Sequence, residues 1–154
     1  SQEEVRAVTR QQAKNQQTSE LTENQLLLNG WDPTEIVTLQ DADPFIGPIK
    51  LAFQDSKPRP IWSEISSEAS ELKALWRQWD RLEIKAGMLY RKFDEDGDTL
   101  YQLVTPKNRQ QEVLKYHHDL SSSGHLGVEK TLSRIRQAFY WPGISDSVRK
   151  YCST

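Results

Sequence analysis

The sequence predicts an α+β fold in which a helix and a β-hairpin lead into a small domain of three short helices. Apolar residues recur at helical spacing after Ser67, two strand-like segments flank an acidic turn, and two histidines precede a cysteine near the end of the chain. We expect residues 67–104 to form the helix and hairpin. Residues 105–154 are expected to form a zinc-stabilised domain of helix-turn-helix type, and a largely extended segment comes before both.

Residues 1–66 are predicted to be a linker. Up to about Leu21 the chain is rich in Gln, Glu, Ser and Thr, so it cannot bury enough apolar surface to offset the entropy lost on ordering. From Leu26 to Trp62, short apolar clusters alternate with five prolines, a pattern typical of an extended spacer. On composition, a tether that lies against another domain and an unstructured linker without a partner are equally good interpretations.

An apolar stripe predicts the helix that follows. Its members are Leu72, Leu75, Trp76, Trp79 and Leu82, spaced as on one face of a helix. Two neighbouring tryptophans could form a platform for stacked nucleic-acid bases, but burial in the core is the usual role of such an aromatic face. We therefore expect this stripe to pack in the core.

Residues 82–93 and 99–104 predict two strands joined by a turn at residues 94–98, where Gly97 supplies the permissive backbone geometry. The acidic turn also suggests a calcium loop of the EF-hand type. That interpretation fails, because such a loop needs glycine at its sixth position and glutamate at its twelfth, whereas glycine is fourth here and Thr105 is twelfth. A hairpin turn is the prediction.

The first two helices of the C-terminal domain have clear boundaries in the sequence. Thr105 and Pro106 predict the start of the first helix, with the threonine as its cap. The second helix ends at the turn Trp141-Pro142-Gly143. Its predicted apolar stripe consists of Val128, Leu132, Ile135 and Phe139.

The third helix is expected to begin at Ser145 as its cap. Val148 and Cys152 are one turn apart on this helix, on the same side as Ile144. Because that side is apolar, Cys152 is predicted to point inward, towards the histidines.

A histidine pair with a cysteine on a downstream helix predicts a metal site. The single cysteine excludes an internal disulfide and fits a reducing compartment. Zinc takes four nitrogen and sulfur ligands in a tetrahedron, and cysteine ligands usually come as a Cys-x-x-Cys pair. His125 and Cys152 would supply two ligands and either His117 or His118 a third. We expect the fourth one position beyond Thr154, and we expect residues 105–154 to depend on zinc for folding.

The charge distribution predicts a local basic face. The net charge of −2 excludes a globally basic nucleic-acid binder, and residues 1–65 carry six Lys or Arg against ten Asp or Glu. Residues 126–154 reverse this balance, with only Glu129 and Asp146 as acids. The candidate nucleic-acid contacts are Lys130, Arg134, Arg136, Arg149 and Lys150. The alternative interpretation is that these side chains only solvate their helices.

A series of short motifs lies between His118 and Cys152. They are His118-Asp119, Gly124-His125-Leu126-Gly127, the basic helix from Lys130 to Arg136, and Phe139-Tyr140-Trp141-Pro142-Gly143. In this order the motifs resemble the N-terminal HHCC zinc-binding domain of integrases from gypsy-type LTR retrotransposons and their retroviral relatives. Stretches from about residue 70 resemble the extension that precedes this domain in Pol polyproteins. The chain departs from the pattern by lacking the second cysteine.

The resemblance implies a role for each part of the chain. His118 would be the ligand, and His117 a surface residue or one that supports the ligand. Residues 1–66 would join a ribonuclease H region to the integrase. The chain would be a non-catalytic part that binds the element's DNA ends and other integrase subunits as a homo-oligomer, together with the rest of Pol. The location implied is intracellular, in a virus-like particle and the nucleus.

No catalytic residues are predicted here. DNA strand transfer by two metal ions needs acidic residues on a separate core, whereas the acids of this chain fall in turns, the linker and helix faces. The alternative function is a domesticated, non-enzymatic adaptor that uses the zinc domain for contacts with protein or chromatin. An Asp, Asp, Glu triad further along the gene would distinguish the two.

Overall fold

The structure is a computed structural model that describes residues 30–121 and 127–153. Within those ranges the chain forms seven α-helices and a four-stranded sheet, an α+β fold as predicted. None of the helices in this part of the chain combines the length and apolar character needed to span a membrane. In chain order the elements are α1 (Pro33–Ala42), α2 (Ile46–Gln54), α3 (Trp62–Ile65), α4 (Ser70–Arg77), a 3₁₀ turn (Trp79–Arg81), β1 (Leu82–Lys85), β2 (Met88–Glu95), β3 (Asp98–Val104), α5 (Lys107–Ser121), α6 (Val128–Ile135), β4 (Phe139–Tyr140) and α7 (Ile144–Cys152).

The sheet has the order β1-β2-β3-β4. Its first three strands are antiparallel, and two-residue turns connect them at Ala86-Gly87 and Asp96-Gly97. All four turn residues have positive φ, the backbone twist that suits a tight hairpin. The turn at Gly97 was predicted, but the single strand predicted over residues 82–93 is wrong, because Gly87 breaks it into two.

The short strand β4 joins the C-terminal helices to the sheet. Phe139 and Tyr140 pair in parallel with Leu103 and Val104 of β3. Phe139 was predicted to continue the second helix, but α6 ends at Ile135 and the chain enters the sheet instead. The segments 67–104 and 105–154 therefore share one sheet.

Buried apolar residues form two clusters, one on each face of the sheet. The first core contains Trp31, Ile36, Met88, Tyr90, Leu103, Val113, Leu114, Leu132, Ile135, Ala138, Phe139, Trp141, Ile144 and Val148. The second core contains Ile46, Ile49, Leu75, Leu82, Leu89 and Val104. Alternate strand residues such as Leu89 and Tyr90 enter opposite cores, as the period-two geometry of a strand requires.

The prediction that residues 26–62 are extended is wrong for residues 33–54, which form α1 and α2. Their prolines stand where helices tolerate them. Pro33 is in the first turn of α1, where Asp32 caps the amide of Thr34 at 2.9 Å, and Pro48 is in the first turn of α2. Both helices contribute buried residues to the cores. This part of residues 1–66, which we call the lead-in, therefore belongs to the folded unit.

Of the two tryptophans of the predicted stripe, Trp79 packs partly buried against the second core, whereas Trp76 is half-buried outside both cores, and the helix is shorter than its stripe. Trp79 follows α4 and stacks on Phe53, with ring centroids 4.5 Å apart. The Nε1 of Trp76 donates a hydrogen bond to the carbonyl of Pro60 at 2.6 Å. The core interpretation is therefore supported for Trp79, and the prediction that Trp76 packs in the core is wrong.

Candidate metal centre

The ends of helices α5 and α7 meet at an aromatic contact. His118 lies in the last turn of α5, and its ring centroid is 5.4 Å from that of Tyr151 in an edge-to-face arrangement. Tyr151 directly precedes Cys152, which ends α7. The packing of the helices therefore brings one predicted imidazole ligand to the part of α7 that carries the predicted thiol.

Cys152 lies where its helical position predicts. Val148, one turn earlier, is fully buried, and Cys152 is partly buried against the same first core. The thiol is free of any disulfide within the described residues. The cap of α7 differs from the prediction: Gly143, with φ of +81°, takes that position, while Ser147 Oγ donates to its carbonyl at 3.2 Å. Ser145 is not the cap.

The described ligands fit zinc in their chemistry. Zinc prefers imidazole nitrogen and thiolate sulfur, which His118 and Cys152 supply. His125 lies outside the described residues. Across residues 30–121 and 127–153, no three His, Cys, Asp or Glu side chains come close enough together to hold a metal ion. A complete ligand set would therefore need His125 or a further residue.

His117 has a structural position in the first core. Its Nδ1 donates a hydrogen bond to the carbonyl of Val113 at 2.8 Å, and its ring meets Phe139 edge to face at 5.9 Å. The prediction of a surface position is wrong, because His117 follows Val113 by one turn on the buried side of α5 and is 6% exposed. Burial lowers the pKa of His117, as does the nearby charge of Arg134, although the bond to Val113 opposes this. The ring is neutral at neutral pH.

The start of α5 differs from the predicted cap. The hydroxyl of Thr105 donates to the carbonyl of Leu103 at 3.1 Å and caps no amide. Asp43, which ends α1, accepts from the amide of Lys107 instead, with Oδ2 3.1 Å from the nitrogen. A side chain 64 positions earlier therefore fixes the start of the helix that carries the histidines.

Four of the five predicted nucleic-acid contacts lie on α6 and α7. Lys130 and Arg134 are one turn apart on the exposed side of α6, opposite its buried Thr131, Leu132 and Ile135. Arg149 and Lys150 are exposed in the last turn of α7, where Arg149 pairs with Asp146 at 3.6 Å.

Arg136 follows α6 directly, and its Nη2 donates to Ser145 Oγ in α7 at 2.9 Å. This bond joins the end of α6 to the start of α7.

Sequence reasoning missed Tyr151 as part of the candidate centre. No spacing rule singles it out, because a tyrosine beside a cysteine is common and only the packing of α5 on α7 places it against His118. Its position before the predicted ligand was the available signal.

Comparison with known proteins finds one family whose model matches the C-terminal part of the chain. No solved structure matches the chain. The family model of the integrase zinc binding domain matches residues 105–154, the segment that contains α5, α6, β4, α7 and all three predicted ligands. Residues 105–154 are therefore similar to an integrase zinc-binding domain.

Proposed function

We propose that this chain is the non-catalytic N-terminal part of an integrase of the gypsy-type LTR retrotransposon class. Its zinc-binding segment would help to hold the element's DNA ends and to assemble integrase subunits. The observation that carries the proposal is the meeting of α5 and α7 at His118 and Tyr151, within the segment that matches the integrase zinc binding domain.

We assign His118, His125 and Cys152 as the zinc ligands in this chain. Bound zinc would cross-link the end of α5 to the end of α7, and structural zinc contributes directly to folding free energy. His118 and Cys152 stand at helix ends that already pack together, which supports this assignment. We prefer His118 to His117 because the ring of His117 is buried in the first core, where it meets Phe139 edge to face.

The DNA role is supported by exposed basic side chains on α6. Lys130 and Arg134 stand away from the core and can reach phosphates without disturbing the packing of Leu132 and Ile135. Phosphate contacts position a protein on DNA with little regard to sequence, which suits machinery that joins DNA at many sites. Affinity would come mainly from charge.

A cobalt titration tests the ligand assignment. Co²⁺ bound by a cysteine thiolate absorbs in the near ultraviolet, so the zinc-free chain, alone and with one cysteine added after Thr154, is titrated with Co²⁺ and then with Zn²⁺. We expect Zn²⁺ to displace Co²⁺. C152S should abolish the band in the chain without the added cysteine and weaken it in the chain with that cysteine, and H118A and H125A should weaken it in both. The matched controls S153A and Q111A should leave it unchanged.

Two results would contradict the proposal. In the chain with the added cysteine, a band of undiminished intensity in C152S would place the metal elsewhere. Failure of both versions of the chain to bind Co²⁺ or Zn²⁺ would remove the zinc site altogether. If zinc binds but the zinc-loaded chain shows no affinity for duplex DNA at low salt, the protein-contact adaptor would replace the DNA role.

A further inference from the structure

Two glutamines bind the side chain of Arg91 and also contact the backbone of two further arginines. Arg91 in β2 donates from Nε to Gln78 Oε1 at 2.9 Å and from Nη1 to Gln102 Oε1 at 2.8 Å. The backbone carbonyl of Gln78 accepts from the amide of Arg81 at 2.7 Å. The side-chain amide of Gln102 donates to the carbonyl of Arg136 at 2.8 Å. Each glutamine therefore places the backbone of one further arginine close to Arg91.

The position of Arg91 is fixed by the fold rather than by a flexible side chain. Gln102 faces it directly across the β2–β3 ladder and is 1% exposed, while Leu82 faces it across the β1–β2 ladder. The guanidinium carbon of Arg91 also lies 4.7 Å from the centroid of the Tyr140 ring. A planar guanidinium held by two amides and an aromatic ring is preorganised.

The partners of Arg91 are neutral, and this leaves its charge uncompensated. A carboxylate at either position would bind the guanidinium and cancel the charge, whereas glutamine binds it and cancels nothing. Elsewhere in the chain arginine does pair with carboxylates, as Arg109 does with Glu35 and Glu112. Within the described residues, Arg81, Arg91 and Arg136 form no ion pair with a carboxylate.

The three charges also repel one another. The pKa of the Arg91 guanidinium is lowered first by burial and further by the positive charges of Arg81 and Arg136, with the Tyr140 hydroxyl acting in the opposite direction. Concentrating like charges disfavours the charged form, and an anion at the same place reverses that cost. An anion beside these arginines would offset the repulsion between their charges.

Donors remain available for such an anion. Arg81 is exposed in the 3₁₀ turn, and Arg91 Nη2 has no hydrogen-bond partner among the described residues. Arg136 is exposed, and it reaches Ser145 in the first turn of α7. The positive end of the α7 dipole adds to the potential there. Guanidinium groups match phosphate oxygens in geometry as well as in charge.

We propose that Arg81, Arg91 and Arg136 form a phosphate-binding surface that holds the backbone of duplex DNA, and we name it the arginine surface. This inference rests on the proposed function and deepens it, because it extends the DNA contact from α6 onto the sheet of the preceding segment. The backbone is the target because Arg91 is partly buried and cannot reach into a groove to contact base edges. Both segments of the chain would then bind the same duplex.

Salt-dependent binding of the zinc-loaded chain to a labelled duplex tests the arginine surface. Each lost phosphate contact should make the plot of log affinity against log salt less steep by about 0.9. When salt is raised from about 50 to 200 mM, the affinity of R81A or R136A for DNA should therefore fall by a factor about 3.5 times smaller than that of the wild type. R81A and R136A change exposed side chains, so their folds should be intact. R91K keeps the positive charge but loses the planar guanidinium group, and it should weaken DNA binding less than R91A does.

Lys92 supplies the matched control. It is the next residue in β2, on the opposite face of the sheet, where it pairs with Glu83 at 3.4 Å. K92A removes one positive charge from the same strand and should leave the salt slope unchanged. Thermal unfolding of each variant checks that R91A is folded.

Different outcomes would overturn the two proposals. If the wild type binds no duplex, the DNA role fails and the arginine surface fails with it. If K130A/R134A reduces the salt slope while R81A and R136A behave like K92A, the DNA role stands and the arginine surface is wrong. If millimolar inorganic phosphate stabilises the wild type but not R81A, while DNA binding is unaffected by R81A, the surface is a small-anion site rather than a DNA contact.

Discussion

The carboxylate of Asp43 accepts a hydrogen bond from the backbone amide of Lys107 across 64 positions of sequence, with Oδ2 3.1 Å from the nitrogen. Its other oxygen, Oδ1, accepts from the amides of Phe45 and Ile46 at 2.9 and 3.0 Å. One buried side chain therefore caps α2 and α5 together, and it connects the lead-in helices to the zinc-binding segment.

Replacing Asp43 should destabilise the protein more than the loss of an ordinary cap. D43A leaves three amides without their acceptor, and we expect a loss of about 1–3 kcal/mol in the free energy of unfolding, measured by urea denaturation. D43N retains one carbonyl oxygen as an acceptor, so its free energy of unfolding should fall less than that of D43A. The control is D55A, an exposed position at the end of α2. Equal effects of D43A and D55A would argue against the double cap.

Gln40 is the second link between the lead-in and the sheet. This fully buried side chain accepts from the amide of Leu89 at 2.8 Å and donates to the carbonyls of Leu89 and Val104 at 3.2 and 2.7 Å. Q40L keeps the size but leaves those buried groups unpaired, so we expect a loss of about 2–4 kcal/mol. Q54L, at the exposed end of α2, is the matched control. A small effect of Q40L in chemical denaturation would show that water replaces the amide.

The sequence predicted the elements whose signals are local. The stripe through Leu75 and the turn at Gly97 follow from periodicity and turn chemistry, and α4 and the β2–β3 hairpin are found there. The prediction of an extended lead-in is wrong because prolines also stand at helix starts, as Pro33 does after the cap Asp32. That signal was present in the sequence and was outweighed by composition.

Long-range features could not be predicted from single positions. The pairing of Phe139 with Leu103, the burial of His117 and the cap from Asp43 all depend on which elements meet in the folded chain. The ligand assignment rests on a different kind of information, the motif order around His118 and Cys152. That order was sufficient to predict the domain but not the placement of Tyr151.

The Glu112 carboxylate gives a pH-dependent contribution to stability. It accepts from Trp31 Nε1 at 2.8 Å and from Arg109 Nη1 at 2.7 Å, and these bonds, that from Trp31 foremost, lower the pKa of Glu112 below its ordinary value. A carboxyl whose pKa is lower in the folded state stabilises the fold above its unfolded pKa, and this contribution is lost as the pH falls through the folded value.

Replacing Glu112 tests that contribution. E112Q should be less stable than the wild type at neutral pH, and the difference should narrow below about pH 5. The control is E68Q, at an exposed position after α3. Thermal unfolding across this pH range provides the measurement, and a constant difference between E112Q and the wild type would contradict the assignment.

Zinc removal should loosen the ends of α5 and α7 rather than unfold the whole segment 105–154. The sequence alone predicts that the segment depends on zinc for folding, but Val113, Ile135 and Phe139 are buried in the first core together with the sheet and α1. Hydrogen exchange after chelation should show lost protection around His118 and Cys152, with the β2–β3 ladder still protected. If amides throughout residues 105–154 lost their protection equally, the first core would not be enough to keep this segment folded without metal.

The basic side of α6 provides the last prediction. Lys130 and Arg134 lie one turn apart on its exposed side, so the double variant K130A/R134A should lower the log–log salt slope of duplex binding by about two units in the zinc-loaded chain. The fold should persist, because Leu132 and Ile135 carry the packing of α6. The control K115A removes an exposed charge from α5 and should leave the slope unchanged. If the double variant and K115A behave alike, the α6 charges only solvate the helix. DNA contact would then have to come from other parts of the chain.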